Sequence, residues 1–253
     1  MKFAAALVAL ILAALILPFI VPIGSPRPGV NPEADLPWQI DVDGQGGSRV
    51  FGLRPGASTL AEVRQRLGSD VEVAIIAAPN EVGALEAYVA QVPLGFVLAR
   101  VIATVDAEKS QILAMRERAL KAEHMESATR KIKLHPDDLV AADRLPVKAI
   151  SVIPSVNLDE ATVIQRFGQP GERVQLGEKR VHLLYPDKGL DVVVDADGKE
   201  LLQYVAPRQF ALLREPLQAE LAAREMEKAA GGKAGGMDVG ASQPGAAGAS
   251  LLK

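Results

Sequence analysis

Two stretches of this chain, offset by 100 residues, carry the same punctuation. They run from Ser58 to Gly68 and from Asn157 to Gly168. Val63 matches Val163, Arg66 matches Arg166, Leu67 matches Phe167 and Gly68 matches Gly168. Each opens like a capped helix. Thr59 with Glu62 has capping-box spacing, and Asn157 with Glu160 repeats it. Each closes at a glycine, the usual left-handed residue past a helix C-terminus, and Pro170 with Gly171 prevents the second helix from continuing. A repeat at this distance predicts two related units rather than one irregular domain.

Strands are expected around each helix. Ser48–Leu53 and Val147–Ile153 precede them. After the second helix come Arg173–Leu176, Lys179–Tyr185, Leu190–Asp195 and Glu200–Val205, with turns at Gly177, at Pro186–Gly189 and at Asp197-Gly198. Asp-Gly between apolar runs is a strong hairpin signal. Alternation in Lys179–Tyr185 puts Val181 and Leu183 on one face and Arg180, His182 and Leu184 on the other. The first unit follows the same course through Val71–Ala77, Val82–Val92 and Phe96–Val105. A charged helical insertion is expected from Asp106 to about Glu126. The fold class is therefore α+β: an N-terminal transmembrane helix, then two related units, each a short helix packed on its own antiparallel meander.

The capped helix, glycine stop and three-stranded meander resemble the small α+β domain of the SmpA/OmlA (BamE) outer-membrane assembly lipoproteins. Two in tandem resemble the β-lactamase inhibitor proteins. The second copy carries most of the likeness, in Asn157, Val163, Phe167, Gly168, Pro170, Tyr185, Gly189, Leu190, Asp197 and Gly198. The first keeps Gly56, Ser58, Val63, Leu67 and Gly68. The resemblance spans roughly Gln39 to Val205 and implies a non-catalytic binding domain. The lipid-bearing cysteine of the assembly lipoproteins has no counterpart, because the chain has no cysteine.

Location is read from the N-terminus. Phe3 to Ile23 is an unbroken apolar run after Lys2, and about 20 such residues cross a hydrocarbon core as a helix. Residues 20–24 make a poor signal-peptidase site, so the run reads as an uncleaved anchor rather than a removed signal. Lys2 precedes the run, while Glu33, Asp35, Asp41 and Asp43 follow it. The positive-inside rule then predicts a single-pass inner-membrane protein, N-terminus cytoplasmic and bulk periplasmic. The expected divisions are an anchor at 1–24, a proline-rich linker at 25–37, a first α+β unit at 38–105, a helical basic insertion at 106–138, a second unit at 139–207, a C-terminal helix at 208–230 and a disordered Gly/Ala-rich tail at 231–253. Pro216 is read as the first residue of the C-terminal helix.

The chemistry is sparse. Without cysteine there are no disulfides, thiolate nucleophiles or cysteine-based metal sites. A net charge of −3 argues against nucleic acid as a partner. His124, His135 and His182 lack ligand spacing, and His182 reads as a solvated or edge residue. His135-Pro-Asp-Asp138 reads as a helix start, with its acids near the positive end of the dipole. Asp191 and Asp195 alternate with valines as on a polar strand face, and Asp197 belongs to a turn. No catalytic residue, cofactor or metal ligand is assigned. The one candidate contact set is basic: Arg116, Arg118, Lys121, Arg130, Lys131 and Lys133, suited to an anionic partner. Its rival is a solvated helix with Glu117 pairing Lys121. These features predict a protein-interaction module of the bacterial cell envelope with an envelope protein as partner. An envelope enzyme acting on a polymer, or a small-ligand or lipid-binding module, is the alternative.

Overall fold

Both repeat helices form, and they end alike. A computed structural model of the chain describes residues 35–68, 70–125 and 129–231; the expected anchor, most of the linker and the tail lie outside them. Helix α1 spans Leu60–Leu67. The Thr59 hydroxyl accepts the Glu62 N–H, and the Glu62 carboxylate accepts the Thr59 N–H at 2.9 Å. The other repeat helix, Glu160–Phe167, is capped by Asp159, whose carboxylate accepts the Thr162 N–H at 2.8 Å. Asn157 was the expected cap. It sits too early, and its side chain instead accepts from the Lys199 ammonium at 2.8 Å. The glycine stops are not left-handed α. Gly68 has φ 101° and ψ −174°, and Gly168 has φ 85° and ψ −174°, a region essentially open to glycine alone. Their N–H groups donate to Arg64 O and Ile164 O, positions again 100 apart.

Among the described residues the chain is α+β, with five α-helices and one large antiparallel sheet. Its strands are β1 (Asp41–Val42), β2 (Ser48–Arg49), β3 (Glu72–Ala77), β4 (Ala84–Leu94), β5 (Val97–Val105), β6 (Lys121–His124), β7 (Arg130–Lys133), β8 (Val147–Pro154), β9 (Glu172–Leu176), β10 (Arg180–Tyr185), β11 (Leu190–Asp195) and β12 (Leu201–Val205). The remaining helices are α2 (Lys109–Glu117), α3 (Pro136–Ala142) and, after the second repeat helix α4, α5 (Ala211–Gly231). Strands β1 and β2 pair as a small ribbon, and the other ten form one sheet in the order β6-β7-β3-β4-β5-β8-β12-β11-β10-β9.

Two expectations are corrected by this order. The units do not own separate sheets: β8 pairs with β12 over Ala149–Val152 and Leu202–Val205, so two meanders abut at their last strands. Strand β8 also completes the first meander by pairing with β5. The expected helical insertion is helix only over Lys109–Glu117. Its remainder is the β6–β7 hairpin, which returns to pair with β3, followed by α3, which runs across the expected boundary at 138/139. His135 caps α3, Pro136 takes its first position, and Asp137 and Asp138 fill its first turn.

The inner sheet face builds the main core. Leu85, Val101, Val152, Leu202, Val192 and Leu183 from six strands meet Leu60, Val63 and Leu67 of α1 and Val163 and Phe167 of α4. The outer face of the second meander has its own small core, where Phe210, Leu213 and Leu217 cover Leu176, Leu184 and Val205. This explains why α5 begins before Pro216. Phe210 and Leu213 must be seated on the sheet first, so Pro216 lies inside the helix, where it forfeits the i→i−4 hydrogen bond to Leu212 O.

The segment before α1 ties the halves together. Asp35 pairs with Arg66 of α1 at 2.6 Å. The buried Tyr204 hydroxyl donates to Pro37 O at 2.8 Å, and Tyr204 packs edge-on against Phe51 at 5.3 Å. Trp38, the sole tryptophan, stands edge-on to Phe167 with centroids 6.5 Å apart. Instead of the expected strand Ser48–Leu53, only Ser48–Arg49 is extended, because Phe51 and Gly52 turn back at positive φ.

Candidate functional site

The six basic residues proposed as a contact set are divided by the fold. Arg116 of α2 is structural: its guanidinium donates to Glu81 O and Val82 O at 2.8 and 2.7 Å. Arg118 reaches the buried carboxylate of Asp138 at 2.5 Å, locking α2 to α3. Lys121 pairs with Glu123 at 2.8 Å rather than with Glu117, because helix α2 stops before Lys121 can become a helical neighbour. Lys131 pairs with Glu72 at 2.6 Å. Arg130 and Lys133 form no ion pair among the described residues.

Register brings three of them together. Side chains directly opposite on neighbouring strands share a sheet face. Lys121 faces Lys133, which faces Ala74, then Glu86, Thr104, Ala149 and Val205, one row across seven strands. A parallel row runs Glu72, Tyr88, Ile102, Ser151, Gln203, Asp191 and Leu184. Leu184 and Val205 belong to the small core under α5, so both rows lie on the outer face. Lys121, Lys131 and Lys133 therefore form a basic margin to an outer face on which Ile76 and Tyr88 are half-buried, Leu98 is exposed, and Ile102 and Ile153 are buried. The core built by α5 includes no residue of β3, β4 or β5.

Glu86 sits in this face with unusual chemistry. Burial pushes its carboxyl up to about 7. Lys133 stands in the same row two strand spacings away, about 10 Å, and makes no ion pair with Glu86. The linkage has a definite sign. A carboxyl whose folded pKa is raised from 4.5 to about 7 favours folding while protonated, so stability falls as pH rises between those values and is flat above. Glu86→Gln is expected to leave stability unchanged near pH 4 and to raise it by about 3 kcal/mol above pH 8. Urea unfolding at the two pH values checks this.

Arg116 and Arg130 meet on another surface, an open cleft of about 550 Å³ between the β3–β4 turn, α2 and the start of β7. Glu81 and Glu117 line it too, so its charges offset. Gly83 is required there: at φ +89° an added Cβ would lie 2.6 Å from Ile76 O.

His182 corrects the sequence reading. It is buried, and its Nδ1 lies 2.8 Å from the carboxylate of Asp191, which is buried as well. Alternation puts His182 on the same face as Leu184, which α5 covers. Among the described residues His182 Nε2 and Asp191 Oδ1 have no further partner. A carboxylate can orient an imidazole for proton transfer, but among the described residues no hydroxyl is hydrogen-bonded to His182 Nε2. Among the described residues no three His, Asp or Glu side chains are grouped to hold a metal ion.

A last surface lies where the described chain begins. Trp38 packs on Phe96 at 5.9 Å, and the Arg166 guanidinium lies 4.7 Å above the indole. Phe96 is 71% exposed. Ser155 N–H donates to Leu98 O at 2.8 Å, which brings the chain at Val156 alongside the β4–β5 hairpin that carries Phe96, and Val156 is 50% exposed. Sequence reasoning missed this group because its members are far apart along the chain. No protein family, curated protein or solved structure matches this chain.

Proposed function

We propose that this chain is a non-catalytic protein-interaction module of the bacterial cell envelope, anchored in the inner membrane by residues 3–23 and carrying its folded part on the periplasmic side. The body is read as a duplicated helix-plus-meander unit, in keeping with the resemblance to tandem BamE-like domains. One observation carries the reading: α5 builds a core on the outer face of the second meander but includes no residue of β3, β4 or β5 in it. That leaves the first meander a sheet face outside the α5 core, with half-buried Tyr88, exposed Leu98 and a lysine margin at Lys121, Lys131 and Lys133. Large apolar side chains framed by charge are the composition of a protein-binding surface. No helix among the described residues is long and apolar enough to cross a membrane, and the anchor assigned to Phe3–Ile23 lies outside them.

The test is photocrosslinking in intact cells. A benzophenone amino acid at Tyr88 or Lys133 is expected to yield a discrete protein adduct. The same probe at Leu212, exposed on α5, is expected to yield none. Charge reversal of Lys131 and Lys133 to glutamate should abolish the Tyr88 adduct. Identical adduct patterns at Tyr88 and Leu212 would remove this reading.

A further inference from the structure

We infer that the corner formed by Trp38, Phe96, Val156 and Arg166 docks onto the headgroup region of an anionic lipid bilayer. The inference rests on the anchor reading above. Phe96 is held 71% exposed at a turn with Trp38 packed on it at 5.9 Å, and exposed apolar side chains that cluster mark an interaction surface where single ones do not. The group has the make-up that suits a bilayer boundary: indole and phenyl rings for the interfacial zone, an exposed valine on the adjoining segment, and cations to meet phosphate. Arg166 is stacked on Trp38 at 4.7 Å, which fixes the guanidinium at the rim of the apolar group. Lys199, held by Asn157 one residue from Val156, adds a second cation. The nearest acid in that loop, Asp159, is committed to capping α4.

Connectivity selects the bilayer over other occupants. The apolar run ends at Ile23, and residues 24–34 separate it from Asp35. Eleven residues reach at most about 40 Å, and Trp38 follows three positions after Asp35. A tether that short holds the corner near the surface at high effective concentration, so individually weak insertions of Phe96 and Trp38 suffice. Asp35 is fixed to Arg66 and Pro37 to Tyr204, so the chain enters the fold at this corner.

Trp38 is the only tryptophan and reports on the corner directly. The full chain is reconstituted into phosphatidylcholine vesicles with or without phosphatidylglycerol, containing lipids brominated near the glycerol end of the acyl chain. The expected result is loss of most Trp38 emission to the brominated lipid, greater with phosphatidylglycerol present. Phe96→Ser should restore the emission without altering the melting temperature, since Phe96 is mostly exposed. Arg166→Gln should remove the dependence on phosphatidylglycerol. Unquenched Trp38 in a chain that stays with the vesicles through an alkaline wash overturns the docking and leaves the anchor reading standing. A chain that washes off overturns both. A blue shift that grows with protein density, without quenching, would assign the corner to a second copy and overturn the docking.

Discussion

Replacing Gly189 by alanine is expected to cost about 4 kcal/mol or more, lowering the thermal midpoint by about 8–16 °C for a protein of this size. Two effects add. Gly189 holds φ +66° at the end of the turn between β10 and β11, where a Cβ strains the backbone by about 1–2 kcal/mol. That Cβ would also overlap the Val205 carbonyl oxygen and stand 2.9 Å from Pro207 N. Both are backbone atoms, and neither can yield like a side chain. Val205 N–H donates to Gly189 O at 2.8 Å, so separating the two segments also breaks that bond and unseats the base of α5. Gly198→Ala is the control. Its φ is not positive and its nearest neighbour would be Asp195 Cγ at 3.4 Å, so its cost should stay within about 1 kcal/mol. Equal losses at the two glycines, measured by calorimetry, would contradict the account.

His182→Leu is expected to cost about 3–5 kcal/mol, because it leaves the Asp191 carboxylate buried with neither oxygen bonded. In the native chain His182 supplies the one side-chain partner that Asp191 has among the described residues. The cost therefore measures a stranded carboxylate, not the worth of the pair. Replacing both residues, His182→Leu with Asp191→Leu, should recover most of the loss, since apolar side chains of similar volume can replace a buried polar pair at little cost. Urea unfolding with unchanged m separates these outcomes from a change in the unfolded state. A double variant as unstable as the single would show that the pair positions the strands rather than satisfying each other.

What the sequence revealed was local. The Thr59–Glu62 box and the glycines at 68 and 168 are fixed by chemistry within one helical turn, and the Asp197-Gly198 turn needs only its own residues. The two faces of β10 were readable from alternation: Val181 and Leu183 join the main core and Leu184 the small one. The burial of His182 was not readable, because it depends on where Phe210 and Leu213 set α5 down. Strands β6 and β7 escaped notice because Lys121–His124 is exposed throughout and carries no alternation. The lysine margin was found as a run of charge, but its sorting into Arg116 on carbonyls, Arg118 on Asp138 and three lysines along one sheet face came from pairings with distant strands. The aromatic corner joins residues 38, 96 and 166, which no window along the chain could place together.

The abutment of β8 and β12 bears on how such a molecule can evolve. With β8 held by β5 on one side and β12 on the other, neither half can be excised, duplicated again or shuffled into another gene as a free-standing part. Each would carry a raw strand edge, an invitation to pair with any chain nearby.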